Sequence, residues 1–575
     1  MTHGRRTAQT RNRLALAVLG SGLLNLASAL TPPDRSRVHV LARTVDHAVI
    51  GNATATAAMT GVMLVLLAGG VRRGKRRAWG GAVVALAAGT VAHLLKGLDV
   101  EEAVATLGVL LWLTRRRACF TAKPDPVTRS HAAWLALGLM TFSLSAGTLL
   151  LATARQTAVQ GERTPANLLL TVLRGLVGGS GPLDLVGHRG DTLGDVLVGF
   201  GLLVVAVPTW AALRRARSDR DLVTDLGLAT NLLQRFPQDS LGYFALRDDR
   251  VLIATPTRKA AVSFRLVGGV ALAAGDPLGD PEAWPAALGT FLQVCEEHGW
   301  VPAAIGVSEA AAEQYARLGS SVLELGDEAV LDPAALSFSG RAARGLRQSV
   351  ARATRAGVVT AVRRASALSS DEVQELTALA EQWRDGPHER GYSMALNRLG
   401  DPRDGDCVVA VARGADGRPQ ALLHLVPWGA DGLSLDLMRR APAAPGGVVE
   451  LLITELARAA ATQGVRRISL NFAMFRDVLE RGARVGAGPL IRLQYKGILL
   501  AGRFWQLESL YRFNRKFSPT WQPRFLVYPG AADLPRVALA TLRAEAFLGP
   551  VRKRPGRAPE HGAEPCTVSL SPSSP

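Results

Sequence analysis

The string LSLDLMRR at 433–440 sets Asp436 three residues before Arg439. A carboxylate at an apolar strand end can grip an ammonium group. A guanidinium beside it can meet a phosphate through its planar fork. Strand alternation places Asp436 on the face opposite Leu435 and Leu437. The blander reading of the pair is an ionic contact that closes a turn. Further along, RKFSPTWQPRF carries Lys516 and Arg524. Lys516 can stabilise an oxyanion or orient a ribose phosphate, Arg524 is a second phosphate candidate, and a solvated basic loop is the alternative.

Other residues have the right type but less context. Glu480 and Arg481 in RDVLERGARVG suit contact with an amino acid or, equally, an exposed helix end. Asn471 in SLNF stands where a substrate carbonyl can be positioned, and Glu328 in ELGDEAVLD can bind substrate or close a turn. Asp276 in Gly-Asp-Pro fits ordinary turn chemistry best. His424 in ALLHLVPW reads foremost as a core histidine. Arg341, Arg344, Arg347, Arg352 and Arg355 spread along one side of an expected helix. That face suits phosphates of a nucleic acid, or anionic headgroups. No aromatic residue interleaves there, so base stacking is not expected. Trp505, Tyr511, Phe513 and Trp521 suit a lipid entrance, a membrane interface or core packing.

The elements that must position these side chains follow from patterning. From about residue 221 charges recur every few residues. LGYFAL, RVLIAT and AAVSFRLVGGVALAAG, within 240–280, predict strands joined by hairpins. Helices are expected over 281–299 and 307–319, and a second series begins with a helix at 370–384. Strands are expected at 407–413, 420–427 and 433–438, then a helix at 447–463 and a strand at 466–472. The order suits two acyltransferase-like α/β units in tandem, 221–360 and 361–545, with a disordered tail at 546–575.

The first 220 residues differ. Apolar runs at 14–30, 45–70, 79–95, 101–114, 131–153 and 192–212 predict about six membrane spans, the fourth being short. Residues 164–186 suit a re-entrant or interfacial piece. Arginine clusters at 5–13, 72–77, 115–117 and 214–220 fall at alternate loops, which predicts both ends of the bundle in the cytoplasm. The 575 residues carry a formal charge of +19, favouring anionic partners. Charged residues make up only 20%, which excludes disorder as the main state. The four cysteines form no CxxC pair and the ten histidines no HExxH, so no metal site is expected.

Several strings now align into a resemblance. GDPLGDPEAW (275–284), the run WVPAAIGVSEAAAEQYARLGSSVLELGDEAVLDPAALSFSG (300–340) and RAARGLRQSVARATRAG (341–357) come first. ERGYSMALNRLGDP (389–402), LSLDLMRR, RRISLNFAMFR (466–476) and RFNRKFSPTWQPRFLVYP (512–529) follow in order. Over roughly 230–530 the chain resembles the catalytic domain of the phosphatidylglycerol lysyltransferase family, also called multiple peptide resistance factor. The resemblance implies an N-terminal transmembrane bundle followed by two fused GNAT-like folds. It implies aminoacyl transfer from aminoacyl-tRNA, lysine first among the amino acids, to the glycerol hydroxyl of phosphatidylglycerol, with changed membrane charge and cationic peptide resistance.

The implied catalytic residues are Asp436, Arg439 and Lys516. Glu480, Arg481, Asn471, Glu328 and Arg524 are the implied substrate ligands, and Arg341, Arg344, Arg347 and Arg352 the tRNA ligands. The implied partners are aminoacyl-tRNA, phosphatidylglycerol or a related anionic lipid, and the membrane; homo-oligomer formation is left open. An aminoacyl ester is already activated, so no cofactor is needed. Two departures stand out: fewer spans than long members, and Ala351 where many members have Asn. A different donor or acceptor, a lipid-binding protein without turnover, and a peptidoglycan-branching transferase are the rival readings.

Overall fold

The computed structural model describes residues 3–30, 47–97, 99–122, 126–213, 225–341, 343–384, 391–474 and 507–547. Its first part is helical: α1 (His3–Leu30), α2 (His47–Arg72), α3 (Arg76–Gly97), α4 (Val100–Arg115), α5 (Pro126–Thr153), α6 (Pro165–Gly175) and α7 (Gly187–Leu213). Five of these, α1, α2, α3, α5 and α7, are long and apolar enough to cross a membrane. That is one fewer than the six spans expected. The difference is α4, whose 16 residues rise only about 24 Å. Yet α4 still brings the chain back: Ala122 beyond it bridges to Lys75 at the start of α3. Small residues let α1 and α2 approach closely, since a Cβ on Gly22 would lie 3.0 Å from the Gly61 carbonyl oxygen. Asn25, Thr60 and His93 form a buried polar link across α1, α2 and α3, with bonds of 3.0 and 2.9 Å.

The rest, after α8 (Leu226–Arg235), is built on one large mixed sheet. The first half runs β1 (Val251–Ala254), β2 (Ala260–Val267), β3 (Val270–Ala274), α9 (Trp284–His298), β4 (Val301–Val307), α10 (Glu309–Arg317) and β5 (Ser321–Leu331). After α11 (Arg344–Arg355), β6 (Val359–Arg364) and α12 (Ser370–Gln382), the same series recurs. It runs β7 (Val408–Arg413), β8 (Pro419–Pro427), β9 (Gly432–Arg440), α13 (Val448–Thr462), β10 (Arg467–Met474), α14 (Leu507–Arg515) and β11 (Thr520–Tyr528), and α15 (Leu534–Ala544) closes the chain. In each half three antiparallel strands lead through a helix to a strand parallel with the third.

The strand order is β1-β2-β3-β4-β11-β5-β10-β9-β8-β7-β6. The last strands of the halves are therefore exchanged: β11 lies beside β4, and β5 beside β10. β11 and β5 pair at the centre from Thr520–Val330 to Tyr528–Ser321. One expected strand is absent, because LGYFAL forms a 3-10 turn at Gly242–Leu246. The Asp239 carboxylate accepts from the Leu241 N–H at 3.2 Å, and such local bonding favours a turn over an extended strand.

The sheet domain docks on the bundle. Arg11 pairs with Glu296 at 2.7 Å, and Arg72 with Asp533 at 2.7 Å. These basic ends therefore share a side of the bundle with the sheet domain.

Candidate active site

Parallel strands β9 and β10 pair only at Gly432–Arg467, Leu433–Ile468 and Ser434–Ser469, and then part. Both strands lose register at the fork. The β8–β9 ladder shifts from His424–Leu437 to Leu425–Leu435, leaving Asp436 as the extra residue. The β10–β5 ladder skips Leu470 and Asn471. Bulges re-aim side chains and often border active sites. Here the bulge overturns the simple alternation expected around Asp436. Leu435 packs into the core beneath α13, whereas Leu437 packs with the cluster beneath α12.

The Asp436 carboxylate is held on two sides. Its Oδ1 accepts from the Leu396 N–H at 2.5 Å, and its Oδ2 lies 2.6 Å from His424 Nδ1. The two side chains are 4% and 1% exposed. Segment 391–396, which supplies that N–H, is pinned from the first half: Arg250 donates to the Tyr392 carbonyl at 2.8 Å, and Arg247 to that of Ala395.

Two buried polar atoms at the fork, Ser434 Oγ and Asn471 Oδ1, have no hydrogen-bond partner among the described residues. Asn471 also holds φ at +68°, a left-handed conformation that Asn tolerates better than most residues. Strain and unmet hydrogen bonding concentrate at functional sites.

Lys516, just after α14, donates to Glu450 Oε1 at 2.8 Å. Glu450 lies in the first turn of α13, where a carboxylate suits the helix dipole. Its partner stays 38% exposed. Gly447 precedes this turn with φ +97°, and a Cβ there would sit 2.0 Å from the Ser349 carbonyl oxygen. Only glycine lets α11 approach so closely.

Residues 230–528 match the family described as phosphatidylglycerol lysyltransferase, C-terminal. The chain belongs to this phosphatidylglycerol lysyltransferase family. Among its relatives is the lysylphosphatidylglycerol biosynthesis bifunctional protein LysX of Rhodococcus opacus, 38% identical over 93% of this chain and 48% of that protein. LysX of Mycobacterium avium is 46% identical over 61% of this chain and 30% of its own length. The chain thus spans about half the length of the R. opacus relative, 48%. L-PGS from Bacillus licheniformis is a structural neighbour at 22% identity and a TM-score of 0.49, covering 56% of this chain and 97% of that one. The C-terminal domain of a putative lysylphosphatidylglycerol synthetase from Agrobacterium fabrum gives 26% and 0.46, covering 56% and 96%.

In this lysyltransferase-family chain the residues singled out from sequence divide into groups. Asp436 and Asn471 lie at the fork. Arg439, next to last in β9, donates to the Met438 carbonyl at 3.0 Å. Lys516 follows α14. Glu328 and Arg524, expected to meet substrate, lie in a buried network in which they bond each other. Arg524 donates to Glu328 from Nε at 2.9 Å and from Nη2, to Asp239 at 2.8 Å, and to Ser240 at 2.8 Å. Glu328 also accepts from Ser240 and Ser469, each at 2.5 Å. A guanidinium 4% exposed needs this many partners.

Asp276 joins the same network, accepting from the Ser308 N–H at 2.7 Å and its hydroxyl at 2.6 Å. Burial and the nearby Asp239 carboxylate push the Asp276 carboxyl up to about 7.

Arg341 precedes α11, and Arg344, Arg347 and Arg352 lie on its exposed side, opposite buried Leu346 and Ala353. Arg347 turns back to the carbonyls of Phe338 and Gly340, the latter at 2.8 Å. Glu480 and Arg481 lie outside the described residues, as does the tail beyond 547. Sequence reading missed Glu450 as the partner of Lys516 and the bond between His424 and Asp436. Neither pairing leaves a local signal, since 66 residues separate the first pair. The second depends on a bulge.

Proposed function

We propose that this chain transfers an amino acid, lysine first, from aminoacyl-tRNA to the glycerol hydroxyl of phosphatidylglycerol. The observation that carries the reading is the fork between β9 and β10, which gathers a fixed carboxylate and unmet polar atoms in a lysyltransferase-family chain. The relatives are named for lysylphosphatidylglycerol biosynthesis, which favours lysine as the amino acid and phosphatidylglycerol as the acceptor.

The chemistry is ester exchange. Asn471 Oδ1 and Ser434 Oγ are acceptors suited to the ammonium of the aminoacyl group. Lys516 and Arg439 supply positive charge for the oxyanion and for phosphates. The exposed arginines of α11, with Arg341, Arg344, Arg347 and Arg352, suit the tRNA backbone. Glu480 and Arg481 complete the proposed amino-acid contacts. The basic ends of the bundle share a side with the sheet domain, which supports placing both in the cytoplasm, where charged tRNA is made. Adding lysine makes an anionic headgroup cationic, so less cationic peptide should bind the membrane.

The test reconstitutes the full chain in phosphatidylglycerol vesicles and supplies lysyl-tRNA. Mass spectrometry should find a lysyl adduct of the lipid. An adduct formed only with another aminoacyl-tRNA would change the donor, and none with any charged tRNA would overturn the reading.

A further inference from the structure

We infer that His424 is the proton acceptor for the lipid hydroxyl, with Asp436 a positioning residue that acts through it. This deepens the proposed transfer and rests on it. The sequence suggested that Asp436 grips an ammonium. Both of its oxygens are already engaged, by the Leu396 N–H at 2.5 Å and by His424 Nδ1 at 2.6 Å, and its side chain is 4% exposed. An ammonium would have to displace one of those partners.

A carboxylate bonded to Nδ1 fixes the tautomer with the proton on that nitrogen, leaving the lone pair on Nε2. Nε2 of His424 has no hydrogen-bond partner among the described residues. The bulge at Asp436 brings its carboxylate to His424 on the adjoining strand β8, and Ser434, two residues before Asp436 on β9, has a hydroxyl with no partner among the described residues. The pinning of 391–396 by Arg247 and Arg250 holds the carboxylate from the far side.

The step balances without a co-reactant. The glycerol O–H gives its proton to His424 Nε2 as its oxygen bonds to the ester carbonyl carbon. The tetrahedral intermediate then breaks its bond to the ribose oxygen of the tRNA. The proton on Nε2 passes to that oxygen, so the histidine ends as it began.

The neighbouring groups are accounted for. Burial pushes the Cys407 thiol up, and burial pushes the Tyr243 phenol up, so both stay protonated near neutrality. Asp404 is paired with Arg398 at 2.6 Å. Asp276, at about 7, belongs to the buried network of Arg524.

The test follows kcat against pH in the vesicle assay with lysyl-tRNA. The parent should lose kcat as pH falls, because a proton already on Nε2 leaves no acceptor for the hydroxyl. His424→Asn can still donate to Asp436 but has no Nε2. It should lose about 10²–10⁴-fold in kcat with KM little changed, and its acid limb should vanish. His424→Gln should behave alike, guarding against a folding defect in one variant, while Asp276→Asn should keep the limb. An active parent without an acid limb overturns the inference, as does a His424→Asn variant that keeps both kcat and limb. Those results leave the proposed transfer standing. A parent that transfers no aminoacyl group to lipid overturns both.

Discussion

Strands β3 and β4 of the first half stay paired through five consecutive positions, Val270–Val301 to Ala274–Ile305. The corresponding strands of the second half, β9 and β10, part after three. Beyond β3 the Gly275 N–H still donates to the Ile305 carbonyl at 3.0 Å. Asp276 and Ser308 then close the junction, and Arg524, carried in on the exchanged strand β11, fills the space beside Gly306. At the second junction, bulges interrupt both flanking ladders and two buried polar atoms go unmet among the described residues. One topology thus serves two ends. Where its polar groups satisfy one another it is structure. Where they do not, at Ser434 Oγ and Asn471 Oδ1, it is the site proposed for the substrate.

The largest effect expected at the closed junction is on stability. Arg524→Ala strands Glu328 and Asp239 as buried charges, which should cost about 3–5 kcal/mol in denaturant unfolding. If it cost less than about 1 kcal/mol, in the range of a surface pair, the first junction would not be the structural one.

A pH effect comes next. Burial and the Asp239 carboxylate hold the folded Asp276 carboxyl up at about 7, well above the ordinary carboxylate range. Protons bind the folded state more strongly, so the stability this group contributes is complete below about 4 and lost as pH rises through about 7. Asp276→Asn should remove that slope. Melting temperatures of parent and variant between pH 5 and 8 would show it, the parent declining relative to the variant. Parallel curves would contradict the assignment.

The smallest effect sharpens the contrast at the fork. Asn471→Gly relaxes a left-handed residue and removes an unmet carbonyl, so the protein should gain about 1 kcal/mol while transfer weakens. A variant that loses stability, or keeps full turnover, would mean that the strain at Asn471 has no functional counterpart.

Much of this was legible in the sequence. The strand–strand–strand–helix–strand order of the second half is present from Val408 to Met474, because its apolar alternation and helix-length runs are local signals. LSLDLMRR and SLNF point to the fork. What stayed hidden depends on distant or irregular contacts. The exchange of β5 and β11 joins strands about two hundred positions apart, and Arg524 meets Glu328 across 196. A bulge at Asp436 cannot be read from alternation, which assigned Leu435 and Leu437 to one face. LGYFAL was apolar enough for a strand, but the Asp239 carboxylate upstream bends it into a turn.

The most direct measurement sets the two junctions against each other in one assay, the turnover of lysyl-tRNA and phosphatidylglycerol vesicles by Asp436→Ala and by Ser308→Ala. Asp436→Ala should lose at least about 100-fold in kcat, as expected when a proton-transfer group loses its orienting partner. Ser308→Ala, which removes a hydroxyl from the closed junction, should stay within about 3-fold, its cost appearing as the stability of one hydrogen bond. Equal losses in the two variants, or full turnover by Asp436→Ala, would contradict the placement of the active site at the parted strands.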